Sequence, residues 1–387
     1  MIPYGRQDIS QADIDAVVRV LKSDFLTQGS AIPSFEKAVS LYSQAHHAIA
    51  VNSATSALHI ACLALGLGPG DQLWTSPTTF VASANCARYC GATVDFVDID
   101  PNTYNLSVEL LAEKLRQAEK LGNLPKIVMP IHLCGQSSDM AGIYALSQQY
   151  GFKIIEDASH AIGGKYKDKP VGSCQFSDIA VFSFHPVKII TTGEGGMALT
   201  NDSELADRMR QLSTHGITNN PEVMHPRPDN EIWNYQQTLL GFNFRMTDIQ
   251  AALGESQMSR LDEFVDRRHL LAQRYDENLA DLPIQLPWQH PDCHSSYHLY
   301  PIRLELNEIK KTQREVYDLL REASILTNLH YIPVYRHPYY ESMGFKRDYC
   351  REAEEYFRQA LSIPLYFGMS EDQQELVISS LTQVLQT

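Results

Sequence analysis

Lys188 closes the run Ser183-Phe184-His185-Pro186-Val187-Lys188 and is followed at once by Thr191-Thr192-Gly193-Glu194-Gly195-Gly196. An amine in this setting suits carbonyl chemistry. It becomes a nucleophile near neutral pH only when partly desolvated, and its commonest use is a Schiff base with an aldehyde cofactor. The apolar residues 179–184 ahead of it read as a strand, and the glycines behind it let backbone approach a ligand closely. A solvated strand end would show the same local pattern, because lysine is seldom buried.

Three more groups have chemistry to offer. In Lys153-Ile154-Ile155-Glu156-Asp157-Ala158-Ser159-His160 a carboxylate follows a short apolar strand, where an open parallel sheet binds ligands. An aspartate there can hold the proton on a pyridine nitrogen, or simply cap the next helix. His160, one turn on, can bond a ring oxygen or fill a helix face. In Val51-Asn52-Ser53-Ala54-Thr55-Ser56-Ala57-Leu58 a strand runs into an apolar helix, and the unpaired amides of a first helical turn bind phosphate. A plain N-cap is the alternative there. In Thr75-Ser76-Pro77-Thr78-Thr79-Phe80 an aromatic follows a strand end, able to stack on a ring or to join the core.

These groups need a common scaffold. Apolar strand patterns at 47–51, 72–75, 93–97, 127–131, 153–156, 179–184 and 196–200 alternate with helical ones, which predicts a layered α/β domain with a mostly parallel sheet. Each candidate group then sits at the carboxyl end of a strand. Between Thr214 and Phe242 a polar stretch, Asn219-Asn220-Pro221 through Pro226-Arg227-Pro228-Asp229-Asn230, is long enough to be a loop at the site or at an interface. The spacing of Ile249, Leu253, Met258, Leu261 and Phe264 predicts one long helix over 247–279, leading to a smaller α/β unit with strands at 297–304 and 326–331 and helices at 311–323 and 372–385. Residues 1–246 are expected to form the large domain and 247–387 the connecting helix and small domain. Gly66-Leu67-Gly68-Pro69-Gly70 ends a helix where a dinucleotide fingerprint would begin one, which argues against nicotinamide binding.

The order of phosphate cradle, stacking aromatic, ring-nitrogen aspartate and strand-borne lysine resembles the fold-type I pyridoxal-phosphate enzymes. Among them it resembles the DegT/DnrJ/EryC1/StrS sugar aminotransferases, over nearly the whole chain from Ile2-Pro3-Tyr4 to Tyr366. The resemblance implies that Lys188 carries pyridoxal 5'-phosphate, that Asp157 pairs with the ring nitrogen and that His160 lies near the ring oxygen. It further implies that Phe80 stacks on the ring and that Ala54, Thr55 and Ser183 hold the phosphate. Gly241-Phe242-Asn243-Phe244-Arg245-Met246 looks like the family's loop into a neighbouring subunit's site, so Asn243 is expected to come from the second copy of a homodimer with shared active sites. Arg245 could reach a diphosphate or pin the loop. Two departures stand out: many relatives have glycine at the position of Ala54, and some have glutamine at that of His160.

The branch most resembled aminates UDP-sugars on the way to pseudaminic acid. The implied substrates are L-glutamate and a UDP-linked 2-acetamido-2,6-dideoxy-4-ketohexose, converted in two halves with ping-pong kinetics. Tyr4, Asp24, Phe25, Leu26, Thr27, Asn243 and Tyr331 match that branch's substrate contacts. Other nucleotide-sugar 3- or 4-aminotransferases, using dTDP-linked substrates, and a noncatalytic regulator are the alternatives.

Composition excludes other classes. With 46 acidic and 32 basic side chains the net charge is −14 and no basic stripe occurs, which disfavours a nucleic-acid partner. The apolar run 57–67 is too short to span a bilayer, and no signal-peptide pattern opens the chain. The 7 cysteines lack paired CxxC spacing, which fits free thiols in a reducing cytoplasm and no metal site.

Overall fold

The computed structural model describes residues 1–226, 228, 230 and 235–386. Within the polar loop foreseen between Thr214 and Phe242, Arg227, Asp229 and residues 231–234 lie outside the described residues. Seven strands form the central sheet: β1 (His47–Val51), β2 (Gln72–Thr75), β3 (Thr93–Phe96), β4 (Ile127–Met129), β5 (Lys153–Asp157), β6 (Ile179–Ser183) and β7 (Gly196–Thr200). Their order is β1-β7-β6-β5-β4-β2-β3. All run parallel except β7, which is antiparallel to both β1 and β6. The antiparallel return is short because Lys188 and the glycine turn, not a helix, connect β6 to β7.

Helices cover both faces: α1 (Gln11–Leu21), α2 (Ala31–Ser43), α3 (Ala54–Ala64), α4 (Ala82–Tyr89), α5 (Val108–Leu121), α6 (Met140–Tyr150) and α7 (Ser203–Ser213). Strand side chains alternate between faces, so neighbours in sequence join different cores. Leu73, Ile127, Ile155, Ile179 and Val181 pack with α3, α4 and α7. Trp74, Val128 and Ile154 meet α5 and α6, and Ala180 and Phe182 meet α2. By the same period Asp157 and Ser183 fall on the α3 and α4 face. That register brings the carboxylate, the serine and the α3 terminus together.

The long helix expected over 247–279 is two helices, α8 (Asp248–Met258) and α9 (Leu261–Leu279). Thr247 and Gln250 form a capping box that starts α8. The Ser259 hydroxyl donates to the Ser256 carbonyl at 2.6 Å, an alternative to continued helical bonding, and the chain turns at Arg260. Periodicity persists through such a break, so apolar spacing alone could not show it.

A second antiparallel sheet, ordered Ile284–Gln285, Tyr300–Leu304 and Ala360–Ile363, packs under Gln313–Glu322 and Glu371–Gln386 with its own apolar core. The strand expected at 297–304 starts only at Tyr300, since Tyr297 has φ +46°. The one expected at 326–331 is absent. There only Asn328 pairs, with Ser362, while its side chain bonds the Leu329 amide and His330 locally. Ile2 pairs with Ile325, and the Leu365 amide donates to the Tyr4 carbonyl at 3.1 Å, so the first residues pack on this sheet. All seven cysteines are free thiols, and among the described residues no helix is long and apolar enough to cross a membrane.

Candidate active site

Lys188 rides on the turn between β6 and β7, which is closed by short bonds. The Thr191 hydroxyl and the Thr192 amide each donate to the Phe184 carbonyl at 3.0 Å, and the Phe184 amide donates to Gly195 at 3.0 Å. The Thr191 amide is also held by Gln257 of α8, whose side-chain nitrogen reaches Asp13 of α1. Lys188 is half-buried. Enclosure by protein pushes its amine down to about 8, while the charge of Asp157 acts in the opposite direction. His185 is exposed and faces its own turn, its Nδ1 accepting the Val187 amide at 3.5 Å.

Asp157, the last residue of β5, is buried. Its Oδ1 accepts from the Ser159 amide (3.2 Å) and hydroxyl (2.6 Å), and its Oδ2 accepts from the Ser83 hydroxyl at 2.6 Å. Phe80, at the start of the same turn as Ser83, is 59% exposed although it is a large aromatic. An open ring is what a stacking role requires, and it sets aside the reading of Phe80 as core. The ring lies 6.3 Å from that of Tyr331.

His160 is buried beside them. Its Nδ1 accepts from the Cys134 amide at 3.3 Å, which leaves Nε2 to carry the hydrogen toward the Tyr331 hydroxyl at 3.1 Å. Burial, then the charge of Lys188, hold His160 well below its ordinary value, and His298, whose ring centroid is 4.4 Å away, is held down likewise. Burial and Lys188 take His330 down to about 3. Tyr4 packs on His330 at 5.1 Å, bringing the N-terminus to the same place. Three neutral imidazoles and two tyrosines thus cluster around His160.

The candidate phosphate cradle is the amino end of α3. Ser53 caps the helix, its hydroxyl accepting the Ser56 amide at 3.1 Å, so the amides of Ala54 and Thr55 have no helical acceptor. Gly196 pairs with Ser183 across the β6–β7 register, and a Cβ on Gly196 would lie 2.4 Å from the Ala54 amide nitrogen. Backbone therefore approaches the helix terminus as closely as it can, with Ser183 alongside. This set fits a phosphorylated pyridine aldehyde: an amide-lined anion site, a buried carboxylate, an open aromatic face and a weakly basic lysine.

Several of the expected residues lie on the chain's surface. Asn243 is exposed and pairs with Thr214, and Arg245 pairs with Val51 at the end of β1. Asp24, Phe25, Leu26 and Thr27 are all exposed at the amino end of α8, where the Asp248 amide donates to Leu26 at 3.0 Å. Asp24 and Phe25 border a groove of about 790 Å³ between α1, α2 and α8. Ser83, Cys134, His298 and His330 belong to the site without having been singled out from sequence. For Ser83 the only available hint was its place one turn after Phe80.

Residues 7–382 match the model of the DegT/DnrJ/EryC1/StrS aminotransferase family. The spore coat polysaccharide biosynthesis protein SpsC of Bacillus subtilis is 38% identical, over 99% of this chain and 97% of its own length. The UDP-4-amino-4,6-dideoxy-N-acetyl-beta-L-altrosamine transaminase of Campylobacter jejuni is 35% identical, over 100% of this chain and 98% of its own. Among solved structures, Helicobacter pylori PseC, an aminotransferase involved in the biosynthesis of pseudoaminic acid, superposes with a TM-score of 0.89 at 30% identity, covering 100% of this chain and 99% of that one.

Proposed function

The chain belongs to the DegT/DnrJ/EryC1/StrS aminotransferase family, a pyridoxal-phosphate-dependent sugar aminotransferase, and on that premise we propose that it moves an amino group from L-glutamate to C4 of a UDP-linked 2-acetamido-2,6-dideoxy-4-ketohexose, in a pathway of the pseudaminic acid type. The observation that carries the catalytic part is Lys188, pushed down to about 8 beside the buried carboxylate of Asp157. The Campylobacter relative and the pseudoaminic acid aminotransferase structure support the sugar. Bound pyridoxal phosphate supplies an electron sink and a carbonyl that is exchanged for an amine and back.

In this reading Lys188 would hold the cofactor through Nζ, and the same Nζ would take a proton from the donor's α-carbon and, in the second half, deliver one to C4 of the sugar. Asp157 would hold the ring nitrogen's proton, Phe80 would cover one ring face and exclude water, and His160 would stand by the ring oxygen. The Ala54 and Thr55 amides and Ser183 bind the phosphate. Tyr4 and Tyr331 touch the sugar. Asn243 and the segment Asp24, Phe25, Leu26 and Thr27 reach the site of a second copy, which makes a cytoplasmic homodimer the working unit.

The greater identity to the spore coat protein favours one competing reading, a different nucleotide sugar for a cell-surface polysaccharide. The test is the absorbance of the reconstituted protein with L-glutamate and then with a panel of UDP-, dTDP- and GDP-linked 4-keto sugars, followed by product mass. Bleaching by glutamate and recovery with the UDP-linked substrate, giving a 4-amino product, is the expected result. Recovery only with another nucleotide would select the competing reading, and a spectrum indifferent to glutamate would overturn transamination from that donor.

A further inference from the structure

The carboxylate of Asp157 does not stand alone. Its Oδ2 is met by the Ser83 hydroxyl at 2.6 Å, and the Thr79 hydroxyl lies 2.8 Å from Ser83. Ser83 is 1% exposed and Thr79 3%. A serine hydroxyl has one proton to give. The short contact to a carboxylate, an acceptor only when charged, takes it, so Thr79 donates to Ser83 and Ser83 to Asp157. The chain of donors starts and ends on functional neighbours, because Thr79 and Ser83 flank Phe80, whose carbonyl is 3.2 Å from the Ser83 hydroxyl. The turn that aims the aromatic face is therefore bonded to the group expected at the ring nitrogen.

We propose that Ser83 is a positioning residue for the cofactor ring: through its bond to Asp157 it fixes the carboxylate's orientation and locks it in register with Phe80. The inference rests on the assignment of Asp157 to the ring nitrogen. Ser159 secures Oδ1 from the residue next but one on the same strand end, which sets the carboxylate's height but leaves rotation about its own axis to be limited from the other side. Ser83 is that other constraint. It comes from α4, an element distant in sequence, so it also ties the α4 turn to the end of β5. Removing it leaves a buried carboxylate oxygen short of a charge-assisted bond.

The experiment measures the pyridoxal phosphate dissociation constant of the apoprotein and the visible circular dichroism of the reconstituted protein, alongside turnover, for Ser83→Ala, Ser83→Thr, Asp157→Asn and the Ser83→Ala, Asp157→Asn pair. Thermal unfolding checks that each variant folds. Ser83→Ala is expected to weaken cofactor binding about tenfold and to diminish the visible dichroic band, as loss of a bond to a charged group implies. Ser83→Thr, which keeps the hydroxyl, is expected to restore both. In the Asp157→Asn background the alanine change is expected to cost little more, because the two residues act as one. Wild-type affinity and dichroism in Ser83→Ala, failure of threonine to rescue, or an undiminished loss in the double variant would each overturn the proposal. Should Asp157→Asn itself bind and turn over as wild type does, the underlying assignment of Asp157 falls too, which separates the two failures.

Discussion

The basicity of Lys188 is set by what surrounds it. Its ordinary value is 10.5 and its value in the folded chain about 8, so the amine turns neutral within the range where enzymes work. The rate at which the apoprotein captures pyridoxal phosphate is therefore expected to climb from pH 6.5 and level off above about 8, read by stopped-flow absorbance. Stability follows the same group. Below about 8 both folded and unfolded chains hold the proton and the cost of burying the charge is present in full. Between about 8 and 10.5 only the unfolded chain holds it, so this group's contribution to stability improves as pH rises. Comparing thermal midpoints of the apoprotein and of Lys188→Met across that window checks the sign: the wild type should gain on the variant with rising pH. The three imidazoles nearby are held neutral, which spares the lysine added charges that would otherwise lower it further.

At the scale of elements, the candidate site is a meeting of a helix terminus with the ends of central strands. The β6–β7 register puts Gly196 against Ala54, and the contact distance of 2.4 Å for an added Cβ is too short for any side chain. Because the atoms met are backbone, neither partner can swing away. Gly196→Ala is expected to cost on the order of 1–3 kcal/mol in stability by chemical denaturation and to raise the cofactor's dissociation constant, by forcing the first turn of α3 from its place. Gly68→Ala, whose added carbon would meet nothing within 4 Å, serves as the neutral comparison. A Gly196→Ala protein with unaltered affinity would mean that the phosphate is held elsewhere. The break between α8 and α9 belongs to this scale also. Through Gln257 the end of α8 bonds both the lysine turn and α1, so the N-terminal helix is linked to the catalytic turn by one side chain.

At the scale of the whole molecule, the expected substrate contacts Asn243 and residues 24–27 are exposed, and in the proposed twofold dimer they serve a second copy. Two variants, Lys188→Ala and Asn243→Ala, should each be impaired alone. Refolded together they should recover activity toward about one quarter of wild type, since half of randomly mixed dimers carry one intact site. No recovery, with dimers confirmed by sedimentation, would place Asn243 in its own chain's site. The candidate groups were picked out by their places in the chain, lysine, aspartate, aromatic and capped helix each following a strand pattern, because strand and helix periods are local properties; their cofactor roles came from the family resemblance. Local patterns also placed all seven strands of the main sheet to within two residues. They could not show the break at Ser259, since an apolar stripe continues across it, nor the lost strand near Asn328, where side chains satisfy the backbone instead. What only the tertiary structure decided was company: that Ser83 meets Asp157, that His298 backs His160, that Gly196 opens the cradle, and that Lys188 is desolvated. Each of those depends on elements far apart in sequence packing at fixed register, and residue type by itself carries no information about the distance to such a neighbour.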